Sequence, residues 1–71
     1  MAKIACYKFE SYDEFQGAKD KLYSELYRDY NNEITFEEYS NTYYVNIYDG
    51  CTNSSLAGQI CRTFGAKPYN G

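Results

Sequence analysis

The chain has no histidine and no tryptophan, a single proline, and no apolar stretch near the roughly 18 residues that cross a bilayer. Each absence excludes a class of function. Histidine is the only side chain whose unperturbed pKa puts its charge change near neutral pH. Without it, the commonest general base and metal ligand is gone. No membrane association is expected, and the opening MAKIACYKFE meets charge too early for a signal peptide, so a cytoplasmic location is expected. Cysteine is scarce too. Cys6, Cys51 and Cys61 are odd in number and form no CxxC pair, which fits neither a disulfide framework nor a zinc site.

These gaps leave little for catalysis. Cys51 sits in DGCTNSS, just ahead of a helix whose dipole would lower its pKa, but a nucleophile needs a base and none is available. The expectation is a non-enzymatic protein with no cofactor and no metal. Cys6 is expected to face the helices, Cys61 to lie at the core, and Cys51 to be the exposed, reactive thiol.

Basic residues are few as well. Residues 10–38 hold nine acids against Lys19, Lys21 and Arg28, a net charge of −6, while the remainder of the chain carries +3. Nucleic-acid binders need a basic footprint that releases counterions. A nucleic-acid partner is therefore not expected.

What the chain has in plenty is tyrosine: ten of its 71 residues. Tyrosine couples a large apolar ring to a phenol that wants a partner, so it suits surfaces that become buried on binding. Hydrophobic content of 44% argues for a folded chain, and the length for one domain.

Period and punctuation give the elements. Residues 3–9, KIACYKF, alternate as a strand. Ser11 and Glu14 form a capping box ahead of a helix over 12–29, whose buried stripe is Phe15, Ala18, Leu22 and Leu26. Gly17 inside it implies close approach of a neighbour. Residues 33–40 and 42–48 make two strands joined at Ser40-Asn41. Ser54 or Ser55 caps a second helix with Leu56, Ile60 and Phe64 inward. Gly65 and Pro68 close it, and the tail is long enough for a short edge strand.

The order β-α-β-β-α predicts an α+β fold: a ferredoxin-like antiparallel sheet truncated at its last strand, with both helices on one face. RNA-recognition, peptidoglycan-binding and metal-chaperone domains share this layout, and the signature motif of none is present.

Alternation then assigns faces. Tyr43, Val45, Ile47, Ile34, Phe36, Ile4 and Cys6 are expected to point to the helices. Tyr7, Phe9, Tyr39, Tyr44 and Tyr48, with Glu37 among them, are expected on the uncovered face. A second strip lies on the first helix, where Tyr23, Tyr27 and Tyr30 interleave with Glu25 and Asp29. An exposed aromatic patch of that size marks an interface. Three occupants remain open: a second copy in a homodimer, another protein, or single-stranded nucleic acid stacked on the rings. The expected function is protein binding through the acidic helix and the tyrosine face. One version is a viral or mobile-element inhibitor of a host nucleic-acid-handling complex, acting in anti-defence. The alternative is a single-stranded nucleic-acid binder.

Overall fold

The computed structural model describes residues 2–26 and 33–70. Its elements are β1 (Lys3–Phe9), α1 (Tyr12–Glu25), β2 (Ile34–Glu38), β3 (Tyr43–Tyr48), α2 (Ser54–Thr63) and β4 (Lys67–Pro68). The four strands form one antiparallel sheet in the order β2-β3-β1-β4. Both helices pack on β1 and β3 and against each other. The fold is α+β. The tail supplies the short edge strand that its length allowed and so completes a sheet expected to be truncated: it pairs with β1 through Lys67 and Pro68, and the Tyr69 N–H donates to the Cys6 carbonyl at 2.8 Å.

The ends of α1 follow from local chemistry. The Ser11 hydroxyl accepts from the Glu14 N–H at 3.3 Å, satisfying one of the helix's orphan donors. At the other end Leu26 leaves the helical basin (φ −125°, ψ 44°), so α1 stops at Glu25, and positions 27–29 of the expected helix lie outside the described residues. The stripe Phe15, Ala18, Leu22 and Leu26 is buried throughout.

α2 is capped by Asn53, not by Ser54 or Ser55: its side-chain oxygen accepts from the Leu56 N–H. Asparagine reaches back to that N–H and stabilises the turn as well as serine does. The helix closes in a Schellman motif, with Ala66 N–H on the Cys61 carbonyl and Gly65 N–H on the Arg62 carbonyl. Gly65 has φ +99°, a conformation that costs glycine nothing and other residues a good deal. At Gly17 a Cβ would lie 2.7 Å from the Phe64 ring, which is the close approach its position in the helix implied.

The core centres on Phe15. Its ring meets Phe9 of β1 at 5.8 Å, Phe36 of β2 at 6.1 Å and Tyr43 of β3 at 5.1 Å, so one side chain of α1 touches three strands. On the far side Tyr7 points at α2, with its hydroxyl accepting from the Arg62 guanidinium at 2.9 Å.

That arrangement corrects the faces of β1. Tyr7 and Phe9, expected outward, are 8% and 0% exposed and belong to the core, and Cys6, expected inward, lies on the opposite face. Ile4 is 52% exposed. The physical reason is twofold. Burying two rings outweighs burying a thiol, and Lys3 stands opposite Tyr48 while Ala5 stands opposite Ile47, so a bulge at Ile4 breaks the strict alternation.

Cys51 is also corrected. Its N–H donates to the Tyr48 carbonyl, which turns the loop back on the sheet and places Cys51 in the core at 8% exposure.

A fully buried Phe→Ala change costs about 3–5 kcal/mol, while a core of this size rarely supplies more than about 3–5 kcal/mol in total. Phe15→Ala is therefore expected to unfold most of the population. Urea titration followed by circular dichroism checks this, and a midpoint close to that of the parent chain would contradict the central role of Phe15.

Candidate functional site

On the sheet face opposite Tyr7 and Phe9, a row of rings crosses the strands. Tyr39, just beyond β2, meets Tyr44 of β3 edge-on at 5.6 Å, and Tyr44 meets Tyr69 beyond β4 at 5.1 Å. Tyr39 is 56% and Tyr69 39% exposed. Between them runs an open groove of about 350 Å³, lined by Lys3, Cys6, Glu37, Thr42 and the three tyrosines. The hairpin sets this geometry. The Tyr39 N–H donates to the Thr42 carbonyl across Ser40-Asn41, which brings Tyr39 back beside Tyr44.

Beneath the rings lies a polar network centred on Asn46, which is 3% exposed. Its amide donates to Glu37 Oε1 at 3.0 Å and Thr35 Oγ1 at 3.3 Å, and its Oδ1 accepts from Lys3 Nζ at 3.4 Å. Glu37 also accepts from the Tyr39 hydroxyl at 3.1 Å. These bonds, first from Asn46 and then from Tyr39, hold the Glu37 carboxyl below its usual range. The same bond, with the Glu37 charge, pushes the Tyr39 phenol above its own. A buried asparagine on a nominally open face is costly unless satisfied. Among the described residues no buried side-chain polar atom lacks a partner.

Lys3 is the cation that lines the groove. Lys8 stands opposite Tyr44 in the ladder, its Nζ 5.8 Å from the Tyr69 ring, and with its register partner Lys67 on β4 it lines a separate hollow that also holds Glu10 and Glu14.

Of the residues the sequence nominated, Tyr39, Tyr44 and Glu37 come together here, and Tyr48 shares the face through its pairing with Lys3. Tyr7 does not; its ring is core. Tyr23 and Glu25 are exposed on α1, well separated in chain and element from the groove, and Glu25 pairs with Lys21 at 4.0 Å. Tyr27, Tyr30 and Asp29 lie outside the described residues. Lys3, Lys8, Asn46 and Tyr69 escaped sequence reasoning. The pattern Tyr7-Lys8-Phe9 held the missing signal, because a lysine between two rings on a strand puts the rings inward. Among the described residues no group of histidine, cysteine or acidic side chains gathers as a metal site, and no helix is long and apolar enough to cross a membrane. Comparison with protein-family models, curated proteins and solved structures gives no match.

The Glu37–Tyr39 bond has a measurable signature. Its contribution to stability is present above the ordinary glutamate pKa of about 4.3 and is lost as pH falls through the lowered folded value. In Glu37→Gln the Tyr39 phenol is expected to titrate lower than in the parent, toward the ordinary value of about 10. Side-chain NMR of labelled tyrosine reads this directly, and an unmoved Tyr39 would break the assignment.

The thiols give a second test. No disulfide joins them, and Cys61 is fully buried with its pKa pushed up to about 12 by desolvation. Burial also raises Cys6, against the opposing pull of Lys3. In the folded protein all three are expected to react slowly with a thiol reagent, Cys6 first because it lines the groove, and all at once after denaturation. Mass spectrometry of timed samples reports the order, and early labelling of Cys51 would contradict its place in the core.

Proposed function

We propose that this chain is a small, non-enzymatic protein-binding module that works in the cytoplasm and grips its partner through the tyrosine-bearing sheet face. The observation that carries the reading is the row Tyr39–Tyr44–Tyr69 around an open groove. Rings of this kind supply large contact area with few rotors to freeze, and their hydroxyls satisfy polar groups of a partner. The strand order β2-β3-β1-β4 supports a ferredoxin-like layout, with both helices on the side of Tyr7 and Phe9 and the groove side left for binding. The exposed acids of α1, Asp13, Asp20 and Glu25, form a second contact strip in this proposal.

Replacing Tyr44 and Tyr69 by serine is expected to keep the fold, with a stability change of about 1–2 kcal/mol at most, and to abolish capture of the partner from a lysate of the source cells. Circular dichroism and sedimentation accompany the capture. Retention of the same captured protein by a folded double variant would show that this face is not the grip.

A further inference from the structure

We propose that the protein forms a two-fold symmetric dimer in which β2 of one copy pairs antiparallel with β2 of a second copy, centred on Phe36. The dimer uses the outer edge of the sheet, a surface distinct from the groove. It joins the two sheets into one and leaves both grooves open on the same side.

The two edges of the sheet are built differently. β4 is two residues long and consists of Lys67 and Pro68, and short length, lysine and proline all blunt an edge against further pairing. Because the Tyr69 N–H faces β1, the Pro68 nitrogen faces outward, where another residue would present a donor. At the opposite edge β2 has neither proline nor lysine, and its register with β3 runs unbroken from Ile34 to Glu38.

Backbone phase shows what the β2 edge offers. The Tyr48 N–H donates to the Glu33 carbonyl and the Tyr39 N–H to the Thr42 carbonyl, so Glu33, Thr35, Glu37 and Tyr39 turn their backbone groups to β3. Ile34, Phe36 and Glu38 therefore aim N–H and C=O outward. In a pairing centred on Phe36, that residue faces its own counterpart and Ile34 faces Glu38 of the second copy. Each of these residues then exchanges both backbone bonds with its opposite. The half-buried Phe36 rings meet on the helix side, an aromatic cross-strand pair of the kind that stabilises a sheet.

Charge selects this register from its neighbours. Of the two adjacent registers that keep the same phase, one sets Glu37 opposite Glu33 and the other sets Glu37 opposite itself. Like charges directly opposite are destabilising. Centred on Phe36, no carboxylate faces another: Glu37 meets Thr35, Glu38 meets Ile34, and Glu33 meets Tyr39. Thr35 and Glu37 form a non-hydrogen-bonded pair, the kind in which Cα atoms are about 4.5 Å apart and side chains are closest. The Thr35 hydroxyl accepts from the Asn46 amide, so its own proton is left to donate, and the facing carboxylate is the acceptor. Glu38 of the second copy comes diagonal to Phe36, over whose ring the Lys19 Nζ stands at 5.3 Å, and so gains a cation.

Sedimentation equilibrium of the full chain, over a concentration series reaching about 1 mM, is expected to show a reversible monomer–dimer equilibrium. Glu38→Pro removes an outward N–H at an exposed edge position, where proline is tolerated. That variant is expected to stay folded by circular dichroism and to weaken the dimer about tenfold or more. Register is read from disulfides. In a Cys6→Ser background, Thr35→Cys and Glu37→Cys proteins are mixed under oxidised glutathione, and the disulfide is expected to join one variant to the other. Mass spectrometry identifies the pair. A parent chain that stays monomeric throughout the series, a folded Glu38→Pro variant that dimerises as the parent does, or absence of the mixed disulfide would each overturn the proposal. So would a dimer that dissociates when Tyr44 and Tyr69 are replaced by serine, because the contact would then lie on the groove face.

Discussion

The insertion of Phe15 among Phe9, Phe36 and Tyr43 is the constraint from which the rest of this structure follows. A chain this short buries only about 60% of the surface its unfolded form exposes, so its core must be built from a few large contacts. One fully buried ring that joins α1 to three strands is such a contact. It fixes which face of β1 turns inward, because Phe9 must reach it. Tyr7, two residues earlier, then lies under α2 beside Gly58, where a Cβ would come within 2.6 Å of its hydroxyl. Every other assignment on β1 is a consequence. Lys8 and Cys6 go to the opposite face because Phe9 and Tyr7 are already committed.

Much of this was legible in the sequence, for identifiable reasons. The stripe Phe15–Ala18–Leu22–Leu26 and the cap at Ser11 are local patterns, and local patterns survive tertiary packing. The faces of β2 and β3 were also legible, since Val45 and Ile47 leave no doubt about which side is dry. β1 was not, because both alternating sets in KIACYKF contain apolar residues and a bulge shifts the phase part-way along. Burial of Cys51 was hidden for another reason. A loop rich in glycine, serine and asparagine reads as exposed, whereas one backbone bond to Tyr48 folds it inward.

The candidate site shows the same division. Tyr39, Tyr44 and Glu37 could be placed on one face from strand period alone. Tyr69 could not, because a short edge strand in the tail could be expected from its length but its register against β1, which carries Tyr69 to the groove, could not. The lysines of this sheet face, of which Lys3 lines the groove, were counted in the sequence as part of a diffuse positive remainder. Folding concentrates Lys3, Lys8 and Lys67 on one side of the sheet, while the acids at 13, 14, 20 and 25 stay on α1. Net charge is a property of the chain; the sign at a surface is a property of the fold.

Asn46 links these two levels. On the groove face it occupies the place where a simple open sheet would carry a solvated side chain, yet it is almost wholly covered. Its amide holds Glu37 and Thr35 of β2 while its carbonyl holds Lys3 of β1, so one side chain ties the strands on either side of β3. Networks of this kind specify position more than they add stability, because each partner left unpaired would be penalised. Glu37 is thereby fixed as the anchor for the Tyr39 hydroxyl, and Tyr39 in turn sets one wall of the groove. The bulge at Ile4 completes the arrangement, since without it Lys3 would point to the helices and Asn46 would lose its cation. The shape of the groove and the placement of its charge therefore depend on the same small set of contacts, and a change at Ile4 or Asn46 would disturb both together.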